Sequence, residues 1–241
     1  MRPLLAVAAT GALAILLAAV GLWLRNDYRQ EKIATLEAPF RSSQIGIRGA
    51  GQPARVVFFG DSRVANWDLS PLSSLGPILN AGFGGDTLAG LAARLGRDVL
   101  ASGPEVVVFL GGINDLTAQS MLDEPTRSDA FAASLAHLDD IVARLRERNI
   151  ELILLLVSPP LDLDLRRRLV WGSGIEAAVD ELNAHLRRLE GPGIRILDSL
   201  DVFAASGADW PARVRKDPLH YTPEAYRLLT NAISRKLEAT R

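Results

Sequence analysis

Two residues near the C-terminus have the types and the spacing of a proton-transfer pair. Asp217 and His220 lie three positions apart, and Pro218 stiffens the turn between them. This spacing lets the carboxylate accept a hydrogen bond from one imidazole nitrogen, while the other nitrogen can act as a general base. The sequence therefore predicts an acid and a base in a single loop. His137 and His185 lie in helical patterns without an acidic turn, and are interpreted as structural or surface residues.

A serine that follows an apolar run is the candidate nucleophile. Ser62 comes directly after Gly60 and Asp61, and residues 56–59 before them predict a buried strand. A glycine at the end of a strand permits a tight turn, which would present the hydroxyl at the start of the next helix. The tripeptide alone is more typical of a helix-capping serine. The distant motifs favour the nucleophile.

Two glycine-containing loops offer donors for an oxyanion. Residues 80–87 include Gly85, whose backbone amide is one candidate, and Asp86, which is predicted to cap the next helix. This loop lacks the Gly-Lys-Ser/Thr of a phosphate-binding loop and the spacing of the dinucleotide fingerprint, so phosphate binding is the minor interpretation. Residues 111–115 include Asn114, a neutral donor that cannot titrate. Asn114 alone would be typical of a turn.

The motifs are separated by alternating strand and helix patterns. Apolar residues recur at helical spacing over 131–145 and 175–189, and a final helix is predicted from Thr222 and Pro223. Such alternation is typical of parallel strands joined by crossover helices. We predict an α/β fold, a three-layer α/β/α sandwich with a mainly parallel sheet, whose strand ends bring the candidate residues to one edge. The predicted strands are 56–59, 78–80, 106–110, 152–157 and 194–197.

Taken together, the motifs resemble the four blocks of the SGNH, or GDSL-type, hydrolase family. The blocks are Gly60-Asp61-Ser62, Gly85, Gly112-Ile113-Asn114, and Asp217 with His220. The resemblance covers residues 55–241 and implies a flavodoxin-like SGNH fold that needs no metal and no cofactor. It implies Ser62 as nucleophile, His220 as base and Asp217 as its partner. It also implies Gly85 and Asn114 as oxyanion donors, together with the Ser62 amide. The Gly-x-Ser-x-Gly pattern of the α/β-hydrolases is missing.

The resemblance implies ester hydrolysis and leaves the substrate open. We predict a serine esterase that hydrolyses an O-acetyl glycan or a short-chain lipid ester through an acyl-enzyme. An acyltransferase or acetyltransferase with the same triad and a non-catalytic glycan-binding module remain alternatives. Residues 158–174 either wall the acyl or sugar site or form a solvated helix start. Trp67, Trp171 and Trp210 are candidates for stacking on substrate, although packing is the commoner fate of tryptophan.

Composition narrows the expected partners. The formal net charge of the 241 residues is −1, so no basic field attracts phosphate backbones and nucleic acid is not expected as a partner. The chain contains no cysteine, which excludes disulfides, thiolate metal sites and a cysteine nucleophile. The length suits one catalytic domain with an accessory segment. The sequence does not indicate an oligomeric state.

The N-terminus differs in composition from the rest of the chain. Residues 3–24 carry no charge and are mainly Leu, Ala, Val and Ile, and about 20 helical residues cross a hydrocarbon core of about 30 Å. We predict a transmembrane anchor over 1–24, a juxtamembrane linker with a short helix over 25–53, and the hydrolase domain over 54–241. A cleaved export signal is the alternative.

Two arguments predict opposite orientations for the anchor in the membrane. Arg25, Arg29 and Lys32 follow the apolar segment, and the positive-inside rule would then place the domain in the cytoplasm. The family resemblance favours an exported domain instead. We predict a membrane-anchored enzyme with a periplasmic or extracytoplasmic domain.

Overall fold

A five-stranded parallel sheet forms the centre of the domain in this computed structural model, which describes residues 2–37, 49–160, 162–207 and 210–238. The strand order is β2-β1-β3-β4-β5. Every residue of β1 and β3 is buried, as expected for strands covered on both faces. The predicted parallel sheet is confirmed. The strands are β1 (Val56–Gly60), β2 (Ile78–Gly82), β3 (Val106–Leu110), β4 (Glu151–Leu155) and β5 (Ile194–Leu197).

Helices cover both faces of this sheet. They are α1 (Arg2–Glu37), α2 (Ser62–Ala65), α3 (Leu88–Asp98), α4 (Ile113–Gln119), α5 (Thr126–Arg146), α6 (Leu165–Val170), α7 (Ile175–Arg188), α8 (Ser199–Ala204), α9 (Trp210–Val214) and α10 (Pro223–Glu238), with 3₁₀ turns at Ser70–Leu75 and Leu100–Ser102. Contacts join α3 to α5 in one layer and α10 to α8 and the first 3₁₀ turn in the other. Connections between parallel strands are right-handed, so connections that run in opposite directions along the sheet place their helices on opposite faces. The predicted α/β/α sandwich is confirmed.

The strand order brings three candidate loops to one place. β1 lies between β2 and β3, and Gly60 at its end is level with Gly82 and Leu110 on the two neighbours. A Cβ atom on Gly60 would lie 1.9 Å from the Leu110 carbonyl oxygen, so only glycine fits where the turn after β1 begins. The loops after the three strands therefore start side by side, where open α/β sheets bind their ligands.

The N-terminal helix is joined to the domain through its second half. Tyr28 and Ile33 of α1 are partly buried against the core, and Arg29 Nε donates to the Met121 carbonyl at 2.9 Å. The short helix predicted for the linker is therefore the continuation of α1. The tether predicted to follow it falls largely on residues 38–48, outside the described residues.

The transmembrane helix predicted over residues 1–24 is not supported. In the part of the chain that the structure describes, no helix has both the length and the apolar character needed to cross a bilayer. α1 does not end at Leu24 but continues to Glu37 through charged residues. The domain boundaries at 24 and 53 and the exported placement of the hydrolase domain stay predictions.

Candidate active site

Three side chains from distant parts of the chain meet beyond the end of β1. Ser62 Oγ lies 2.9 Å from His220 Nε2, across 158 positions of sequence. His220 Nδ1 lies 2.8 Å from Asp217 Oδ2 and 3.0 Å from Asp217 Oδ1. The structure thus brings together the residues predicted as nucleophile, base and acidic partner. The arrangement is that of a hydrogen-bonded triad.

The protonation of this triad follows from the state of Asp217. Partial burial raises the pKa of Asp217, but hydrogen bonds from the Leu219 amide and the His220 ring outweigh burial, and the pKa lies below its ordinary value. An ionised carboxylate only accepts, so His220 Nδ1 carries the proton that is donated to it. In the neutral ring Nε2 is then an acceptor, and the Ser62 hydroxyl donates to it. Histidine in this form can remove a proton from serine.

The histidine loop is shaped by its own acid. Asp217 Oδ1 accepts from the backbone amides of Leu219 at 2.9 Å and His220 at 3.0 Å. The Lys216 amide donates to the His220 carbonyl at 2.9 Å. The carboxylate therefore closes the turn that carries the histidine, in the manner of an Asx turn, and also orients the imidazole. Acid and base form one local unit.

Ser62 is placed by the turn between β1 and α2. It is the first residue of α2, where backbone amides have no partner within the helix, and its amide suits the predicted oxyanion role. Asp61 caps this helix by accepting from the Arg63 amide at 2.8 Å. Burial raises the pKa of Asp61 to about 6, and the positive charge of Arg63 opposes part of that rise.

The two other predicted oxyanion donors lie in linked loops. Asn114 Nδ2 donates to the Asp86 carbonyl at 2.9 Å, and Asp86 directly follows Gly85. Gly85 has a φ of +79°, a conformation that glycine adopts without steric cost. One N–H of the Asn114 amide is held by this bond, which leaves its second N–H for a ligand.

A buried ion-pair cluster fixes the loop that contains Gly85. Arg94 Nε lies 2.7 Å from Asp86 Oδ2, Nη1 lies 3.1 Å from Asp98 Oδ2, and Nη2 donates to the Gly60 carbonyl at 3.0 Å. Arg94 and Asp98 are fully buried. The prediction that Asp86 caps the following helix is wrong, because Thr87 provides that cap. Asp86 instead binds the guanidinium that also holds the end of β1.

The buried acid Asp115 ties α4 to α3. Asp115 accepts from the Leu88 amide at 3.0 and 3.2 Å and from Ser134 Oγ at 3.0 Å. Burial raises the pKa of Asp115 to about 7, although these hydrogen bonds oppose the rise. Because Asp115 follows Asn114 directly, this carboxylate fixes the loop that presents the predicted donor.

Sequence reasoning missed Arg63, Arg94 and Asp115. Arg94 had a usable signal, since it lies on the apolar face of its helix with Leu91 and Leu95 and has an acid four residues later. A charge at such a position is buried only when it is paired. No local pattern distinguishes Asp115 or Arg63 from exposed residues.

The tryptophans predicted to contact substrate are packed instead. Trp67 is 3% exposed, and its Nε1 donates to Thr230 Oγ1 at 2.9 Å while its ring contacts Phe58. Trp171 is 6% exposed. The burial of both indoles favours the packing alternative for Trp67 and Trp171, and their contact with substrate stays a prediction. The Trp210 side chain lies outside the described part of the chain.

Outside the triad, His185 is also paired with an acid. His185 Nε2 lies 2.7 Å from Asp139 Oδ1, between α7 and α5, in agreement with its interpretation as structural. Across residues 2–37, 49–160, 162–207 and 210–238, no group of three or more His, Asp or Glu side chains is arranged to hold a metal ion.

The fold and the arrangement of Ser62, His220 and Asp217 agree with the comparison to known families. Residues 49–228 match the GDSL-like lipase/acylhydrolase family, and the chain belongs to that family. It is a carboxylic ester hydrolase. The resemblance inferred from the sequence motifs is confirmed.

Solved structures of this family share the fold at low sequence identity. A GDSL-like lipase from Bacteroides thetaiotaomicron is 18% identical with a TM-score of 0.60, over 78% of this chain and 89% of that one. A lipase/acylhydrolase from Enterococcus faecalis is 21% identical with a TM-score of 0.58, over 78% and 96%. An acetylxylan esterase from Geobacillus stearothermophilus is 20% identical with a TM-score of 0.56, over 78% and 95%. No protein with curated annotation matches the sequence.

Proposed function

We propose that this hydrolase cleaves a short-chain carboxylic ester through an acyl-enzyme on Ser62. One observation carries the proposal: the imidazole of His220 contacts the Ser62 hydroxyl on one side and the Asp217 carboxylate on the other. A serine hydroxyl is a weak nucleophile until a base of this kind removes its proton.

The proposed reaction has two halves that use the same groups. Ser62 Oγ attacks the carbonyl carbon while His220 Nε2 takes the hydroxyl proton, and the oxyanion binds to the Ser62 and Gly85 amides and to Asn114. As the ester C–O bond breaks, His220 returns the proton to the leaving alkoxide. Water then attacks the acyl-enzyme, His220 takes its proton, and Ser62 leaves with that proton as the acid is released.

The support for a short acyl group comes from the comparison with solved structures. The cavity of about 20 Å³ that borders Asp217 and His220 is lined by the histidine loop and not by Ser62, Gly85 or Asn114, so it is not the acyl site. We propose an O-acetyl glycan or a short-chain lipid ester as substrate. The fold shared with an acetylxylan esterase supports the first of these.

The proposal is tested by measuring the hydrolysis of p-nitrophenyl acetate, butyrate and laurate by the full chain. The Ser62→Ala and His220→Ala variants are measured in the same assay. We expect activity to fall with acyl length, and each substitution to lower kcat by at least about 10⁴-fold. Mass spectrometry after a fluorophosphonate should find one adduct, on Ser62, in the parent protein. Hydrolysis that persists in Ser62→Ala would refute the serine mechanism.

The same assay separates the competing functions. Ester product that appears when a sugar alcohol is added, at the expense of free acid, would favour the acyltransferase. A folded parent protein that neither hydrolyses esters nor reacts with the fluorophosphonate would favour a glycan-binding module.

A further inference from the structure

A buried arginine joins the nucleophile to the histidine loop. Arg63 follows Ser62 directly and is 1% exposed. Its Nε donates to the Leu219 carbonyl at 2.8 Å, across 156 positions of sequence. Leu219 is the residue before His220, so one side chain connects the immediate neighbours of the nucleophile and the base.

The same guanidinium also holds a third segment. Arg63 Nη2 donates to the Ser158 carbonyl at 3.1 Å, in the segment that follows β4. Ser158 Oγ in turn shares a hydrogen bond of 2.7 Å with the Tyr221 hydroxyl. The guanidinium carbon lies 5.2 Å from the centre of the Tyr221 ring, within the range of a cation–π contact. Arg63 therefore contacts the residues on both sides of His220.

The backbone of Arg63 is fixed as firmly as its side chain. Its amide donates to Asp61 Oδ1 at 2.8 Å, and its carbonyl accepts from the Tyr226 hydroxyl at 2.8 Å. A side chain anchored at both ends transmits position from one segment to the other. The distance between the Ser62 turn and the histidine loop is set through this residue.

The histidine loop needs such an external contact. Its internal hydrogen bonds, from the Lys216, Leu219 and His220 amides, fix its shape. They do not fix where the loop lies relative to β1. The bond from Arg63 to the Leu219 carbonyl supplies that restraint, and it acts one residue from the imidazole that must face Ser62 Oγ.

Arginine suits this position better than any other side chain. Two carbonyl groups in different directions must be satisfied, and a planar guanidinium offers several fixed N–H donors at once. Lysine could reach one carbonyl as a point donor, and an uncharged amide is shorter. Asp61, whose side chain accepts from the Arg63 amide, supplies a negative charge beside the buried cation.

We infer that Arg63 is a positioning residue, which holds the histidine loop at the distance from Ser62 that proton transfer needs. This inference rests on the proposed function. Because Arg63 acts on the distance between the nucleophile and the base, its loss should lower kcat and leave KM nearly unchanged. Misplacement by about 1 Å can cost about 10²-fold in rate.

The test compares Arg63→Gln and Arg63→Lys with a matched arginine elsewhere. Arg195→Gln is the control, because Arg195 also ties two elements, donating to the Lys236 carbonyl and to Glu151. For the full chain we would measure kcat and KM on p-nitrophenyl acetate, the rate of fluorophosphonate labelling, and Tm. We expect kcat to fall about 10²-fold in Arg63→Gln and about tenfold in Arg63→Lys, with KM within about threefold. Labelling should slow in parallel, and Arg195→Gln should keep the parent kcat.

Each outcome decides the inference. A folded Arg63→Gln protein with kcat within twofold of the parent, or with a loss confined to KM, would overturn it. If Arg63→Gln does not fold, Arg63→Lys decides: a loss of kcat at the parent Tm supports positioning, and parent kcat refutes it. An inactive, unlabelled parent protein would instead refute the proposed function, which separates the two failures.

Discussion

The two halves of the active site are held in place by different kinds of contact. The half that supplies the predicted oxyanion donors is built on adjacent strand ends and is fixed by the buried ion pairs of Arg94. The half that supplies the acid and base is a loop after β5, and its Asp217 side chain is 37% exposed. Arg63 holds that loop by bonds to neutral carbonyls. We therefore expect changes in the first half to affect mainly the stability of the domain, and changes in the second half to affect mainly the rate of the reaction.

The largest effect on rate should come from the acid and base half. Asp217→Asn leaves the size of the side chain unchanged but removes the charge that sets the His220 tautomer. We expect kcat to fall about 10⁴-fold, and the free energy of unfolding to change by less than about 1 kcal/mol, because the carboxylate is partly exposed. Ester hydrolysis and urea denaturation of the same preparation would check both. A loss of stability that matches the loss of rate would contradict the comparison.

The largest effect on stability should come from the other half. Arg94→Met removes the buried guanidinium that contacts both Asp86 and Asp98, while Asp98 keeps its ion pair with Arg97. Removing one partner of a buried ion pair costs about 3–5 kcal/mol. Urea denaturation followed by circular dichroism measures this change. Arg195→Met is the control, because its ion pair with Glu151 is partly exposed, and it should cost less than about 1 kcal/mol. Equal losses in the two variants would show that burial of Arg94 has no energetic weight.

Asn114→Ala removes the predicted donor and its bond to the Asp86 carbonyl, and leaves the side chains of the ion-pair cluster unchanged. Loss of one oxyanion donor lowers kcat by about 10²–10³-fold, so this effect on rate is smaller than that of Asp217→Asn. Steady-state kinetics on p-nitrophenyl acetate would measure it. If KM rises and kcat does not change, Asn114 binds substrate in the ground state and is not an oxyanion donor.

The smallest predicted effect is a change in how the free energy of unfolding depends on pH. It comes from Asp115, in the half of the site that supplies the predicted oxyanion donors. Asp115 has a pKa of about 7 in the folded protein, raised by burial from 3.8. Between these values the folded state binds more protons than the unfolded state, so stability falls as pH rises from about 4 to 7. Asp115→Asn should reduce the fall in unfolding free energy between pH 5 and pH 8, by about 2 kcal/mol. Urea midpoints at both pH values would show it, and an unchanged slope would contradict it.

Asp217, in the other half of the site, changes stability with pH in the opposite direction. Its pKa lies below the ordinary value, so the stability that it contributes is present above the unfolded pKa and is lost as pH falls through the folded pKa. The two halves therefore respond to pH in opposite directions. Asp217→Asn should remove only the acid-side component.

Much of this architecture could be predicted from the chain alone. Short apolar runs that alternate with helical patterns predicted all five strands and the layers around them, because this alternation is typical of parallel strands joined by crossover helices. The short loop spacing of Asp217 and His220 predicted their pairing. Ser62 followed from the motif order, since no local feature distinguishes it from a capping serine.

The remaining features depend on contacts that local sequence does not specify. Whether Trp67 packs or stacks is decided by Phe58 and Thr230, which come from other elements. Arginine is usually found at the surface. Arg63 is buried because its side chain donates hydrogen bonds to two carbonyl groups far along the chain. The position of Asp86 before a helix predicts a cap, but its carboxylate binds the guanidinium of Arg94, eight residues later. In each case tertiary partners override a local preference.

The placement of Asp217 and His220 within one turn limits how this site can fail. Because both side chains move with the same loop, a rigid shift of that loop keeps the imidazole and its carboxylate in register. Within the triad, only the bond between His220 and Ser62 is lengthened or broken. A shift of the loop therefore changes one distance in the triad, the separation of the base from the nucleophile. Asp217 keeps the imidazole in the tautomer whose Nε2 accepts a proton wherever the loop lies.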